Sequence, residues 1–170
     1  MRDIIFTGPV WWVAGLWLLG ALLLQVEVAH YIIWRGAEFS FVLVLVVWYA
    51  MHADARRAAV FGAIAGLLED VTDTLTGGSW TISTTITALA ANLVARRFFA
   101  DSVLVLTIVA FACTLLRRLL FWVLMAVTMN YPPGHARQHF HEALYTSVMN
   151  AALMAVVAVL RGRAEGRSLQ

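Results

Sequence analysis

Five charged side chains stand inside otherwise apolar sequence. Glu69, Asp70 and Asp73 end one apolar run, and Arg117 and Arg118 lie within another. Ionisable groups in membrane-type sequence mark charge pairs or binding sites. The alternative is that the acids belong to an exposed outer loop. We expect one arginine to pair with a carboxylate and the other to snorkel or contact a partner protein, and exchanging the charges of Arg117 and Asp70 would test the pairing.

The three acids do not all point in one direction. On a helix Glu69 and Asp73 share a face, whereas Asp70 is rotated by about 100° from Glu69. The cluster is therefore able to serve two neighbouring helices. An arginine near the bilayer centre costs about 2.5–3.5 kcal/mol on insertion scales, so a carboxylate partner or snorkelling is expected.

A second group of polar residues has metal-ligand chemistry. His135, His139 and Glu142 fall at i, i+4 and i+7 on one helical face, and imidazole with carboxylate can bind zinc. The segment holds neither a cysteine nor a second acid, so a solvated interfacial helix is the favoured interpretation. Elsewhere no serine or threonine has a base beside it, and no Walker-type loop occurs. The sequence therefore predicts a protein that is not an enzyme and has no metal or other cofactor.

The composition is that of a membrane protein. Hydrophobic residues make up 62% of the 170 and charged residues 13%, with a mean hydropathy of +0.81. Soluble domains are closer to half apolar and a quarter charged. All 12 basic residues are arginine, and no basic patch is interleaved with stacking aromatics, so a nucleic-acid partner is not expected. The single cysteine, Cys113, lies in an apolar run and reads as a small buried hydrophobe.

The apolar runs predict an all-α membrane protein with six transmembrane helices in one integral membrane domain, 1–170. The third run covers only about 21 Å as a helix, short of a hydrocarbon core of about 30 Å. Either its terminal acids lie inside the membrane, or the bilayer is thin there and the following loop dips inward. The predicted spans are 9–28, 38–52, 58–71, 81–95, 102–129 and 143–160.

Arginine positions predict the orientation. Cytoplasmic loops of membrane proteins carry an excess of basic residues. With both termini in the cytoplasm, eight arginines fall inside and two outside, and the Arg117-Arg118 pair is set aside as intramembrane. The acid cluster then faces outward. The inner set is Arg2, Arg56, Arg57, Arg96, Arg97, Arg161, Arg163 and Arg167, and the outer set is Arg35 and Arg137.

Small and amide residues predict how the helices pack. Gly62 and Gly66 lie one turn apart and permit close helix approach, which we expect within this chain rather than in a dimer. Gly77 and Gly78 supply a turn where φ can be positive. Asn150 in the last span is expected to hydrogen-bond between helices.

Two stretches resemble the bacterial rod shape-determining MreD family. Residues 43–80 read LVLVVWYAMHADARRAAVFGAIAGLLEDVTDTLTGGSW, in which an apolar span and a polar turn lead to a G-x-x-x-G-L-L-x-D helix and a small-residue loop. Residues 146–163, TSVMNAALMAVVAVLRGR, are similar to the family's last span, with Asn150 followed by small residues and a basic end. The motif residues are Gly62, Gly66, Leu67, Leu68, Asp70, Gly77 and Gly78.

The resemblance implies a non-catalytic inner-membrane subunit of the cell-elongation (Rod) complex, which helps to maintain rod shape by organising peptidoglycan synthesis. Members of that family partner the bitopic protein MreC and work beside MreB, RodA and its transpeptidase. Their fold is thought to be similar to that of the S components of energy-coupling-factor transporters. A substrate-binding S component, taking a vitamin-like ligand from outside, is therefore the alternative function. A plain membrane anchor would leave Glu69, Asp70, Arg117 and Arg118 unexplained.

Overall fold

The regular secondary structure of the described part of the chain is all α-helix, as predicted. The computed structural model describes residues 10–28, 31–33, 36–73, 76–97, 102–128 and 136–167, and no strand occurs among them. The six helices are α1 (Trp11–Glu27), α2 (Phe41–His52), α3 (Ala55–Thr72), α4 (Ser79–Ala95), α5 (Val103–Thr128) and α6 (Ala136–Arg167).

Two helices extend well beyond the predicted spans. α3 begins at Ala55 rather than at 58 because the Asp54 carboxylate caps it, accepting a hydrogen bond from the Arg57 amide at 2.8 Å. Its 18 residues cover about 27 Å, so most of the missing length is recovered. α6 begins at Ala136 rather than at 143, and the polar stretch that precedes the last apolar run is part of the same helix. α6 also ends at Arg167, seven residues beyond the predicted end at 160. The other helix ends lie within three residues of the predicted spans, of which Pro9 and Met129 are outside the described residues.

Two of the helices are long and apolar enough to cross a membrane. An 18-residue stretch of Val103–Thr128 has a mean hydropathy of 2.1, and one of Arg137–Arg163 within α6 has 1.9. α1 and α2 are apolar but shorter. These properties are those of membrane-spanning helices by length and composition.

Contacts between helices show that α1 to α4 run alternately up and down, since Gln25 near the end of α1 accepts from the Val42 amide at the start of α2. Gln25 near the end of α1 meets Glu69 near the end of α3, whereas Asn92 near the end of α4 donates to the Ala50 and Ala53 carbonyls at the end of α2. We name the two ends of the bundle by their charges. The acid end holds Glu69, Asp70 and Asp73, and the arginine end holds Arg57, Arg97 and Arg161.

α2 is the central helix of the bundle. It contacts each of the other five helices, and nine of its 12 residues are buried. It is short because the chain before it, residues 36–40, is non-helical. Side chains from two other helices accept hydrogen bonds from this backbone. The Ser40 amide donates to Asn150 Oδ1 at 2.9 Å, and the Val42 amide donates to Gln25 Oε1 at 3.2 Å. Non-helical backbone is tolerated at membrane depth only where protein covers it in this way.

The outer surface of the bundle is apolar and its interior holds polar groups. Large aliphatic side chains stand exposed on five of the helices, while threonine, serine, asparagine and a charge pair lie inside. Soluble proteins rarely expose such extensive apolar surface. The distribution is typical of helices that face lipid. Examples of the exposed side chains are Leu23, Ile64, Leu93, Leu104, Val127 and Leu160.

The two glycines of α3 lie against α4. A Cβ atom built on Gly66 would fall 2.6 Å from the Trp80 carbonyl oxygen and from the Thr81 Cα, and one on Gly62 would fall 2.7 Å from the Ala88 Cβ. Real Cβ atoms do not approach so closely, so the contact depends on both glycines. The spacing Gly62-x-x-x-Gly66 thus allows α3 to pack closely against α4 within the chain.

Replacing Gly66 by alanine should destabilise the fold. The obstructing atoms are backbone, which cannot rotate away, so we expect a loss of about 1–3 kcal/mol in the free energy of unfolding. Gly15→Ala is the matched control, because nothing lies within 4 Å of a Cβ built there. Unfolding of the purified proteins in detergent would measure both. Equal stability of the two variants would contradict the close α3–α4 contact.

Candidate functional site

A buried ion pair lies at the acid end. The Arg117 guanidinium of α5 donates from Nη2 to Glu69 Oε2 of α3 at 2.5 Å, and the exposed fractions of the two side chains are 4% and 5%. An ammonium or carboxylate buried alone would cost several kcal/mol, which only a well-aligned and fully hydrogen-bonded pair offsets. The pair therefore fixes the separation and register of α3 and α5.

Two further side chains hydrogen-bond to this pair. Gln25 of α1 donates to Glu69 Oε1 at 2.9 Å, and Arg117 Nη1 donates to the Ser40 hydroxyl at 3.0 Å. Ser40 in turn donates to Gln25 Oε1 at 3.5 Å. The four side chains come from three helices and from the segment before α2, so one network joins α1, α3 and α5 to the start of α2.

Asn150 connects α6 to the same network. Its carbonyl oxygen accepts from the Ser40 amide, and its Nδ2 donates to Thr114 Oγ1 of α5 at 3.3 Å. Asn150 is fully buried. It thus bridges α6, α5 and the segment before α2.

Asp70 performs a different task from Glu69. It is the next residue along the helix, so its side chain points towards α4, where it accepts hydrogen bonds from the backbone amides of Trp80 and Thr81 at 3.1 and 2.8 Å. It also accepts from the hydroxyls of Thr76 and Thr81. A carboxylate here satisfies amides that α4 itself cannot pair and lies favourably at the positive end of the helix dipole. Asp70 is therefore the cap of α4.

The turn between α3 and α4 depends on its two glycines. Gly77 and Gly78 have φ values of 56° and 86°, which L side chains rarely adopt. The turn brings Thr76 back to Asp70, and its hydroxyl donates to Asp70 Oδ1 at 2.6 Å.

Asp73 and Arg118 are the members of the cluster left at the surface. Asp73 is exposed, and the only hydrogen bond of its carboxylate among the described residues is a long one of 3.5 Å from Trp80 Nε1. Arg118 is half-buried and lies 5.9 Å from the Trp80 ring, with no hydrogen bond or ion pair to any described residue. Trp80 itself stacks on Phe121 at 3.8 Å and receives Arg117 at 4.4 Å.

Two cavities adjoin the cluster at the acid end. The first, of about 210 Å³, lies between α1, α3, α5 and the segment before α2, and the Glu69–Arg117 pair forms part of its wall. The second, of about 270 Å³, lies between α5 and α6. Asp73 and Arg118 line both. A larger cavity of about 540 Å³ between α1, α2 and α6 is almost wholly apolar.

The structure separates the five predicted charges into distinct roles. Arg117 contacts Glu69, and not Asp70, because the Glu69 face of α3 looks inward while Asp70 lies about 100° round the helix. Gln25 and Ser40 were not among the sequence candidates. The signal that could have found Gln25 is a lone amide in an apolar helix.

The histidine face shows no assembled metal site. His139 Nδ1 lies 3.6 Å from Glu142 Oε2, and His135 is outside the described residues. Among the residues that the structure describes, no group of three His, Cys, Asp or Glu side chains converges as metal ligands would. Glu142 instead accepts a hydrogen bond from Gln138 at 2.8 Å.

Comparisons with known proteins add no relative. No family model, curated protein or solved structure matches the chain. The resemblance to MreD thus depends on the sequence motifs alone.

Removing the charge of Glu69 should destabilise the protein strongly. Glu69→Gln leaves Arg117 buried without a counter-charge, for which we expect a loss of about 3–5 kcal/mol in unfolding free energy. Asp54→Asn is the control, because its pair with Arg57 is exposed and such pairs contribute about 0–1 kcal/mol. The double exchange Glu69→Arg, Arg117→Glu should recover part of the loss. Similar unfolding of E69Q and D54N in detergent would contradict the structural role of the pair.

Asp70→Ala should loosen the start of α4. Two backbone amides and two hydroxyls lose their acceptor, and we expect a cost of about 1–3 kcal/mol. Asp73→Ala, three residues away, should change stability by no more than about 0.5 kcal/mol because Asp73 is exposed. Hydrogen exchange of the first turn of α4 would measure the effect. Unchanged protection in D70A would show that the cap is dispensable.

Proposed function

We propose that this protein is a non-catalytic, multi-pass subunit of the bacterial inner membrane that acts in the Rod complex. In this proposal it binds an MreC-like bitopic protein and thereby supports the organisation of peptidoglycan synthesis by MreB, RodA and its transpeptidase. All six helices would cross the membrane, with both termini in the cytoplasm.

The observation that carries the proposal is that the buried polar groups mainly hold the helices of the bundle together. The strongest of them, Glu69 and Arg117, bind each other and the neighbouring helices. The connections between the described helices have two to 13 residues; the shortest is Ala53 and Asp54 between α2 and α3, and the longest is 28–40 between α1 and α2. Such a chain offers partners little besides helix surfaces and short loops, as a membrane scaffold does.

Charge asymmetry supports the orientation. The arginine end carries Arg56, Arg57, Arg96, Arg97 and Arg161, whereas the acids of the cluster lie at the other end. Basic residues favour the cytoplasmic side, so the acid end would face outward.

The outward half of α5 provides a surface for a partner helix. Leu119, Val123 and Val127 are exposed at spacings of four residues and form one apolar stripe on that half of the helix. In membranes, helices associate through close packing of such faces rather than through hydrophobic expulsion from water. An apolar single-span helix of the MreC type would lie along this stripe.

Co-purification tests the proposed partner. Val123→Trp keeps the surface apolar but disturbs its packing, and we expect about 10-fold weaker recovery of a co-expressed MreC-like protein, equivalent to about 1.4 kcal/mol. Ile108→Trp is the control, because Ile108 is exposed on the inward half of the same helix. Failure of the unmodified chain to bind the MreC-like protein would refute the proposal. Equal recovery of the MreC-like protein with both variants would show that it binds to a surface other than the stripe.

The two cavities at the acid end favour a second candidate function, that of an S component. A substrate-binding subunit needs a pocket with a few polar groups, and the cavities of about 210 and 270 Å³ are of that kind. Capture of an energy-coupling ATPase module by the purified chain, with no capture of the MreC-like protein, would favour this function over the first.

A further inference from the structure

We propose that the two cavities at the acid end form a binding site for a small zwitterion of the α-amino-acid type. We call them together the acid-end cleft, defined by Arg118 and Asp73, which line both. The site is independent of the Rod assembly. If the chain is instead an S component, the same site would hold its transported substrate, and the inference would then name the class of that substrate.

Hydrogen-bond donors without partners mark the cleft as a ligand site. Thr146 is fully buried against the first cavity, and its hydroxyl has no hydrogen-bond partner in the described structure. Two more buried donor atoms also lack a partner: Nε of Arg117, a residue that lines the first cavity, and Nε1 of Trp122, a residue that lines the second. Buried polar atoms are nearly always paired, so three unpaired ones around adjoining spaces indicate a missing acceptor.

Arg118 is the charge that such an acceptor would meet. It lines both cavities, and the described residues offer its guanidinium no hydrogen bond or ion pair. A guanidinium presents five donors in a planar fork, which matches the two oxygens of a carboxylate. The carboxylate of the ligand would therefore bind Arg118, with Trp122 Nε1 as a further donor.

The acids at the mouth exclude a purely anionic ligand. Glu38 and Asp73 are exposed at the cleft, Glu69 lines the first cavity beside Arg117, and Glu142 lines the second. A phosphate or a dicarboxylate would be repelled by so many carboxylates. An ammonium group on the ligand would instead be attracted by the same acids. A zwitterion therefore matches both parts of the lining, its carboxylate binding Arg118 and its ammonium binding the acids.

The second cavity has room for an apolar side chain. Phe121, Met125 and Ala143 form one side of its wall. At about 270 Å³ it is below the usual range of drug-sized pockets, roughly 300–1,000 Å³. Amino acids with an apolar or aromatic side chain are therefore the expected members of the class.

Binding to the purified full chain in lipid nanodiscs tests the proposal. The probes are the twenty common L-α-amino acids, and the readouts are thermal unfolding and calorimetric titration. We expect at least one apolar or aromatic amino acid to raise the unfolding temperature and to bind with one site per chain. If none of them binds, the proposal is wrong, while the co-purification result for the MreC-like partner is unaffected.

Two conservative variants locate the site. Arg118→Lys keeps the charge but loses the fork, and we expect at least 10-fold weaker binding; Trp122→Phe removes one N–H and should weaken binding by about 2- to 13-fold. The controls are Arg97→Lys and Trp12→Phe, exposed residues at the arginine end, which should bind as the unmodified chain does. Unchanged binding in both cleft variants would overturn the assignment, and W122F keeps the test decisive if R118K fails to fold.

Ligand derivatives test the charge class. The N-acetyl derivative of the bound amino acid lacks the ammonium, and the corresponding amine lacks the carboxylate. Both should bind at least 10-fold more weakly than the amino acid itself. Equal binding of the N-acetyl form would identify an anion site, and equal binding of the amine a cation site, and either result would overturn the zwitterion proposal.

Discussion

The buried pair between Glu69 and Arg117 is the interaction on which the rest of the bundle depends. Neither charge is tolerable alone in an apolar interior, so the helices that carry them must stay at one separation and register. The side chains that complete the pair, Gln25 and Ser40, come from α1 and from the segment before α2. A single charge pair thereby constrains four parts of the chain at once.

The same network explains how a central helix of only 12 residues fits the bundle. The backbone amides of the segment before α2 have no partner within a helix of their own. Asn150 and Gln25 accept from the amides of Ser40 and Val42, so polar side chains of longer helices replace the missing helical turns. The buried amides and hydroxyls of this chain are therefore structural groups first.

The cleft residues differ from these structural groups because some of their hydrogen-bond donors have no acceptor among the described residues. Glu69 and Asp70 are occupied by contacts within the bundle, whereas Arg117 Nε, Arg118, Trp122 and Thr146 have donors that no described residue accepts. The proposed scaffold role requires only the first set. The second set is what suggests that the acid end also receives a ligand, and it lies apart from the apolar stripe of α5 proposed for the partner helix.

The helical class, the approximate helix bounds and the important polar positions can be predicted from the sequence, because apolar runs, glycine spacing and charges in apolar runs are local signals. Helix geometry also predicts that Glu69 and Asp70 contact different neighbours. The packing of the helices is needed to show that Arg117 pairs with Glu69 while Asp70 caps α4. The same is true of the roles of Gln25 and Ser40. Gln25 lies 44 residues along the chain from its partner Glu69, and Ser40 lies 77 residues from its partner Arg117. Such pairings depend on which helix faces meet, and no local pattern encodes that.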